Sequence, residues 1–266
     1  MSIQTFPGPL GEIRAASASV GTALSTTATV VPFLPGTQYA LIEGRNYSTA
    51  VVARVALVPY LLVFKTADLL ATITDYSEAA QDGSTSTDVV LSSLDTLANG
   101  DALWVGSHLP FRGLLADVDA ANGTAAVLSG TYWNGTALAN ISLTDGTDSA
   151  GATFGQDGAI TWSVPATWTP APLTTIGSAA GTVMASSQSL YWVRLVVSAA
   201  LDSSTTLNSL MALSRSTAYA ELTTGRVLEC SVNRGPGGLA GVEALTDAGT
   251  GNLIVNCATV HGGKFV

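Results

Sequence analysis

Short apolar runs at regular spacing are the feature that most restricts how this chain can fold. Between residues 87 and 214 eight such runs occur, separated by turn residues: TDVVLSSL, DALWVGSHL, FRGLLADVD, TAAVLSGTYW, TALANISL, GAITWSV, LYWVRLVVSA and TLNSLMALS. Runs of this length without intervening helical periodicity predict antiparallel strands. A parallel sheet would need a helix between successive strands. The pattern therefore predicts an all-β fold, with a jelly-roll-like β-sandwich in the middle of the chain.

Tryptophan is distributed unevenly, and this predicts the domain organisation. All five tryptophans lie in the middle of the chain, and both ends lack them. We therefore predict the jelly-roll-like sandwich over residues 67–214. The two termini, residues 1–66 and 215–266, are predicted to form a second, smaller β unit together. A simple tandem arrangement of two domains is the alternative.

Four stretches fall outside the strand pattern. Pro165–Ser189 is too long for a hairpin and predicts a crossover between two sheets, as Greek-key topologies require. Asp68–Gln81 predicts either one turn of helix or a loop. Met1–Gly36, which contains prolines, predicts an extended arm that reaches a neighbouring subunit. Residues 234–241 (RGPGGLAG) predict a hairpin tip, because no P-loop lysine and no helix follows them.

Charged side chains are scarce in this chain. Only 11% of the residues are charged and the formal net charge is -9, whereas ordinary domains contain about 25% charged residues. Ala, Gly, Ser and Thr make up the difference, and such residues can be buried against another protein without desolvating charges. The composition therefore predicts a surface that other subunits partly cover.

The same composition excludes several classes of function. An acidic chain lacks the basic footprint that nucleic-acid binding needs. No apolar stretch of about 20 residues is present, so we expect no membrane span. The amino terminus has no basic segment followed by an apolar one, so we expect no secretory signal and synthesis in the cytoplasm.

Residues with catalytic potential are few. The two histidines, His108 and His261, lie in no metal-binding or nucleophile motif, and no G-x-S-x-G string occurs. Cys230 and Cys257 lie in the apolar runs RVLECSV and NLIVNCATV. They are either two buried free thiols or, if those runs pair as antiparallel strands, thiols that face each other. We predict no catalytic, cofactor-binding or metal-binding residues, and therefore no enzyme.

Three aspartates are the candidates for acid–base or metal chemistry. Asp145, Asp148 and Asp157 lie in one loop-rich region, and their oxygens would suit Ca²⁺. Asp145 and Asp157 could also be the carboxylate pair of a glycosidase. Both lie in turn sequences, where aspartate bonds to its own backbone. We interpret them as turn residues, with no metal and no cofactor.

Aromatic residues surround these turns. Asn134-Gly135 predicts a tight turn, because both residues accept positive φ. Strand alternation places Trp192 and Arg194 on one face, where Arg194 would pair with an acidic residue or stack on Trp192. Trp168 lies between prolines in PATWTPAP, so it is either a lid on one end of the sandwich or an exposed platform for a sugar.

Four motifs in this region occur in a recognisable order. They are Tyr132-Trp133-Asn134-Gly135, Asp145-Gly146-Thr147, the strand Gly158–Pro165 followed by Trp168, and Tyr191-Trp192-Val193-Arg194. This order resembles a domain of the structural proteins of tailed bacteriophages. One departure is that Ala137 and Leu138 stand where an aromatic residue often follows the Asn-Gly turn. The resemblance covers residues 87–214, about half of the chain, and implies a virion β-sandwich without specifying the virion part.

The expected function follows from this resemblance and from the low charge. We expect a non-enzymatic virion protein, first of all a capsid decoration (cement) protein that stabilises the head. Its partners would be its own copies, in a homotrimer, and the major capsid protein, with no nucleic acid and no membrane. A tail, neck or baseplate protein is the second hypothesis. A carbohydrate-binding module that uses Trp168 is the alternative from another class.

Overall fold

The computed structural model describes residues 10–15, 21–45, 51–68, 72–86, 88–92, 94–177, 187–215 and 219–260. The chain is nearly all β, with 51% strand and 4% helix, and its sheets are antiparallel. The predicted all-β, sandwich-like fold class is therefore confirmed. Two compact units are present: a terminal unit, Met1–Leu57 with Ala218–Val266, and a central unit, Val58–Thr217.

The described residues contain twenty strands. In chain order they are β1 (Leu10–Ala15), β2 (Thr22–Leu24), β3 (Thr29–Pro32), β4 (Tyr39–Arg45), β5 (Ala53–Pro59), β6 (Leu62–Ala67), β7 (Thr72–Asp75), β8 (Val89–Val90), β9 (Ala102–Ser107), β10 (Gly113–Ala120), β11 (Leu128–Trp133), β12 (Leu138–Ile141), β13 (Leu143–Asp145), β14 (Gly158–Trp162), β15 (Tyr191–Val197), β16 (Thr206–Leu213), β17 (Ala220–Leu222), β18 (Val227–Ser231), β19 (Leu239–Thr246) and β20 (Gly251–Val260). A 3₁₀ turn at Leu97–Asn99 and a short helix, α1 (Leu173–Ile176), accompany them.

The central unit has jelly-roll topology. One sheet has the strand order β13-β14-β10-β16-β8, and the other has β12-β11-β15-β9-β6-β7. The antiparallel pairs are nested: β8 pairs with β16, β9 with β15, β10 with β14 and β11 with β12. Nested pairing of eight strands in two sheets defines a jelly roll. Each of the eight apolar runs found in the sequence contains one of these eight strands.

Alternation along the strands builds the core of this unit. In β10, Leu114 and Ala116 are buried, while Asp117 and Asp119 are exposed. Successive side chains of a strand point to opposite faces, so one face of β10 packs in the core and the aspartates on the other face are exposed to solvent. The predicted crossover at 165–189 is also confirmed, because it joins β14 in one sheet to β15 in the other.

The terminal unit consists of two smaller sheets. One has the order β1-β20-β4-β18, with β2 also paired to β20, and the other has β17-β5-β19-β3. Buried side chains from both sheets form a single apolar cluster that includes Ile42, Val55, Val242 and Val255. Strands β18 and β17 are edge strands of these two sheets, and residues 223–226 connect them.

Several sequence-based boundaries differ from the structure. The first domain boundary was expected after residue 66, inside β6, but β6 pairs with β9 and lies in the central unit. The second boundary was expected after residue 214 and lies after residue 217. The stretch Asp68–Gln81 contains strand β7, which pairs with β6, rather than only a helical turn or loop.

Two other segments also differ from expectation. The described part of Met1–Gly36 is no free arm, because β1 and β2 pair with β20, and β3 pairs with β19. Residues 1–9 and 16–20 of that segment lie outside the described residues. The glycine-rich stretch 234–241 is no hairpin tip, because the strands that it joins, β18 and β19, belong to different sheets.

Candidate functional site

Trp168 closes one end of the central sandwich. Its side chain is 7% exposed, and its ring centroid lies 5.3 Å from Phe111 and 5.7 Å from Tyr191. The indole Nε1 donates a hydrogen bond to the carbonyl oxygen of Trp192 at 3.2 Å. A sugar-binding platform needs an exposed aromatic face, so the structure supports the lid interpretation and contradicts the platform.

Strand β15 carries the largest buried aromatic side chain of this region. Trp192 is 0% exposed, its ring centroid lies 5.8 Å from Phe64, and its Nε1 donates to the carbonyl of Ala171 at 2.9 Å. Arg194 lies over the ring of Trp104, at 5.7 Å, rather than over Trp192. The expected stacking of Arg194 on Trp192 was therefore wrong. Arg194 contacts Trp104 because Trp104 lies directly opposite it on β9.

The side chain of Arg194 is partly buried. Burial lowers the pKa of Arg194 from its ordinary value. Its Nε atom is buried and has no hydrogen-bond partner among the described residues. The contact with the Trp104 ring provides electrostatic compensation for this charge.

The hairpin between β11 and β12 is wider than the sequence indicated. Trp133 pairs with Leu138, which leaves a four-residue loop at 134–137 instead of a two-residue turn. Only Gly135 has positive φ, at 99°. The Asn134 side-chain oxygen accepts hydrogen bonds from the backbone N–H groups of Thr136 and Ala137, both at 2.9 Å. Asn134 therefore serves as a turn acceptor.

The three candidate aspartates bind different parts of the backbone. Asp145 accepts hydrogen bonds from the N–H and the hydroxyl of Thr147, at 2.9 and 2.6 Å. Asp148 accepts from the Gly151 N–H at 3.2 Å, and Asp157 from the Val118 N–H at 2.7 Å. Among the described residues, no group of three or more His, Cys, Asp or Glu side chains is placed to hold a metal ion. The local bonds of Asp145 and Asp148 are those of turn-stabilising residues, whereas Asp157 instead ties its loop to Val118 of β10.

An open groove lies beside these turns, and sequence reasoning missed it. Its volume is about 600 Å³, and none of the residues that line it is charged. Its polar lining comes from three parts of the chain: Tyr132, Asn140, Ser142, Thr144, Thr161 and Ser163. Hydroxyl and amide groups can hydrogen-bond a neutral polar ligand but supply no general acid or base near neutral pH. Isolated serines and threonines carry no motif, so no sequence signal marked this groove.

The histidine that the structure describes is partly buried. Desolvation lowers the pKa of His108, and its Nδ1 is buried without a hydrogen-bond partner among the described residues. A histidine that is oriented for general-base catalysis donates its second ring N–H to a carboxylate or carbonyl. His108 has no such orienting bond at Nδ1. His261 lies outside the described residues.

The two cysteines are free thiols. Cys230 on β18 and Cys257 on β20 are both in register with Ala40 of β4, which lies between their strands. Two strand spacings amount to about 10 Å, whereas a disulfide needs Cα atoms within about 7 Å. The alternative in which the two cysteine-containing strands pair with each other and their thiols face each other was therefore wrong. Burial raises the pKa of Cys230 to about 11.

No described helix is long and apolar enough to cross a membrane. Comparisons of the chain with family models, with curated proteins and with solved structures found no match.

Proposed function

We propose that this chain is a non-enzymatic virion structural protein of a tailed bacteriophage, namely a capsid decoration protein. It would form a homotrimer that binds the major capsid protein. One observation carries the proposal: the four motifs that resemble those of phage structural proteins all lie in one jelly roll and have structural roles there. They form a turn, an aspartate-stabilised loop, a lid and a central strand of one jelly roll.

The surface of the central unit also supports this proposal. Val127 is 66% exposed and Leu97 is 42% exposed. Both lie at the carboxyl end of β15. Val127 shares two hydrogen bonds with Ser198, the residue that follows β15, and Leu97 follows Thr96, which forms a β-bridge with Val197. Exposed apolar side chains at one end of a strand, in a chain with so few charges, suit a surface that another protein covers.

Attachment to capsids and copy number test this proposal. Purified protein is mixed with capsids that lack it, and the bound copies are counted by electron microscopy and quantitative gel densitometry. A decoration protein binds to repeated sites of the shell, with on the order of hundreds of copies per particle. A tail, neck or baseplate protein binds with about 3, 6 or 12 copies per particle. Absence of binding to any virion part would reject both virion roles.

The uncharged groove favours a second candidate, a carbohydrate-binding module. Under this candidate the ligand is a neutral saccharide held by Asn140 and Thr161, and Trp168 takes no direct part. A glycan array tests it with an Asn140→Ala/Thr161→Ala double variant and with Thr136→Ala, outside the groove, as the control. Binding that only the double variant loses would support this role. No binding by the unmodified protein would reject it.

A further inference from the structure

Asn-Gly pairs occur at three places among the described residues: Asn99-Gly100, Asn122-Gly123 and Asn134-Gly135. In such a pair no side chain on the second residue hinders its main-chain nitrogen from approaching Cγ of the asparagine, the carbon of the side-chain amide. The three pairs have the same local chemistry. Any difference in their reactivity therefore comes from the contacts that the fold gives them.

The fold holds the reacting groups of the Asn122-Gly123 pair. Asn122 is 3% exposed, and its Nδ2 donates to the carbonyl oxygens of Thr124 and Thr153, at 2.8 and 3.0 Å. The Gly123 N–H donates to the carboxylate of Asp202 at 2.6 Å. Attack by this nitrogen would break a charge-assisted hydrogen bond and would turn the buried side-chain amide away from both carbonyl groups. This pair is therefore protected.

The Asn99-Gly100 pair is protected by one hydrogen bond on each residue. Asn99 Nδ2 donates to the carboxylate of Asp95 at 2.6 Å. The Gly100 N–H donates to the carbonyl of Leu97 at 2.8 Å, where the 3₁₀ turn ends. Both bonds must break before the Gly100 nitrogen can displace the side-chain amide, so the fold slows this reaction as well.

At the Asn134-Gly135 pair the attacking nitrogen and the leaving group are both free. Gly135 is exposed, and neither its N–H nor the Nδ2 of Asn134 has a hydrogen-bond partner among the described residues. The Asn134 Oδ1 instead accepts three hydrogen bonds, from the N–H groups of Thr136 and Ala137 at 2.9 Å and from the Thr136 hydroxyl at 3.0 Å. Three donors on one carbonyl oxygen polarise its carbon and stabilise the negative charge that attack places on the oxygen.

We propose that Asn134-Gly135 is a self-modification site, at which the asparagine side chain reacts with the main chain and then with water. Hydroxide removes the Gly135 N–H proton, and the nitrogen forms a bond to Cγ of Asn134. The three donors stabilise the charge on Oδ1. The Cγ–Nδ2 bond then breaks, Nδ2 takes a proton from water, and ammonia leaves behind a cyclic succinimide. Water adds to either ring carbonyl and breaks its bond to nitrogen, which gives aspartate or isoaspartate at residue 134.

The modification changes the hairpin that joins β11 and β12. Isoaspartate places Cβ and Cγ of residue 134 in the main chain, so the loop gains one backbone atom. The Asn134 N–H donates to the Ala137 carbonyl at 3.1 Å, and the longer loop is expected to break this bond. Either product also adds a negative charge to a chain whose formal net charge is already -9. This reaction does not depend on the proposed capsid role.

Peptide mapping of the folded, full-length protein by mass spectrometry tests the proposal. The protein is kept in mildly alkaline heavy-oxygen water, so that each newly formed carboxyl group carries a heavy oxygen atom. Asn134 is expected to convert at least about 10-fold faster than Asn99 and Asn122, because those pairs must first break hydrogen bonds. The same protein unfolded in urea is the control, in which the three pairs are expected to react at similar rates.

A pair of variants tests the stabilisation of Oδ1. Thr136→Val removes the hydroxyl donor and is expected to slow the reaction of Asn134 about 2–10-fold, which is the effect of one hydrogen bond. Thr136→Ser restores the hydroxyl and is expected to restore the rate, with Asn99 as the reference within each sample. The proposal is overturned if Asn134 reacts no faster than Asn99 or Asn122 in the folded protein, if the same ranking persists in urea, or if Thr136→Val leaves the rate unchanged.

Discussion

Replacing Gly106 with alanine is expected to destabilise the central unit severely. Gly106 lies on β9 directly opposite Trp192 of β15. A Cβ atom at residue 106 would lie 2.4 Å from Cε3, 2.5 Å from Cζ3 and 2.7 Å from Cδ2 of the Trp192 ring. Normal carbon contacts begin near 3.5 Å, so the ring must move by about 1 Å.

The cost of this movement follows from what holds the ring. Trp192 is fully buried, and its Nε1 bond to Ala171 is 2.9 Å long, so a shift of that size breaks the bond. Overpacking costs about 1–3 kcal/mol, and a buried donor left unpaired costs about 1–3 kcal/mol. Alanine in a strand regains about 0.5–1 kcal/mol relative to glycine. The midpoints of these ranges give a net loss of about 3 kcal/mol.

Tryptophan fluorescence during thermal unfolding measures this loss, because all five tryptophans lie in the central unit. The Tm is expected to fall by about 5–15 °C. Gly123→Ala is the matched control, because a Cβ there meets only an Asp202 oxygen, at 3.2 Å. In a double-mutant cycle, Trp192→Phe should absorb part of the cost of Gly106→Ala. A Tm within about 2 °C of the unmodified protein would refute the reasoning.

Three further predictions concern the surface and the titratable groups. The Val127→Asp variant should attach to capsids about 10-fold or more weakly, with an unchanged Tm. The Leu109→Asp variant, with the charge at the other end of β15, is the control and should bind like the unmodified protein. Equal binding by both variants would contradict a contact at Val127. The pKa of Cys230 is about 11 instead of 9.0, so little of its thiol is ionised at pH 8. Because the thiolate is the reactive form, iodoacetamide at pH 8 should alkylate Cys230 about 100-fold more slowly than the cysteine of a free peptide. Mass spectrometry of the labelled peptide measures this rate. Burial lowers the pKa of His108 below 6.5, so the unfolded chain binds more protons, and the free energy of unfolding should fall as the pH drops below about 6.5. His108→Gln should flatten that dependence in urea titrations, and an unchanged slope would show that other groups cause it.

Local chemistry made most of the strands predictable. Every one of the eight apolar runs contains a jelly-roll strand, because turn residues limit each run and β-branched residues fill it. In the central unit the strands that were missed are short: β7, with the sequence TITD, and β13, with the sequence LTD. Both are too short for alternation to distinguish them from the turns beside them.

The site residues were less predictable, because their contacts come from distant parts of the chain. The burial of Trp168 depends on Phe111 and Tyr191, which belong to other segments. The separation of Cys230 from Cys257 depends on β4, which lies about 190 residues before Cys230. No pattern within a run of ten residues reports such contacts.

The amino-acid sequence by itself determined where the strands and turns lie and how few charges remain for the surface. These properties arise from neighbouring residues: backbone preferences at Asn, Gly and Pro, and the alternation of apolar side chains. Only the tertiary structure decided that β8 to β16 pair in nested order, that Arg194 contacts Trp104, and that the Gly123 N–H donates to Asp202. Such features depend on which strands become neighbours, and that choice is made by the packing of the whole unit rather than by any single segment.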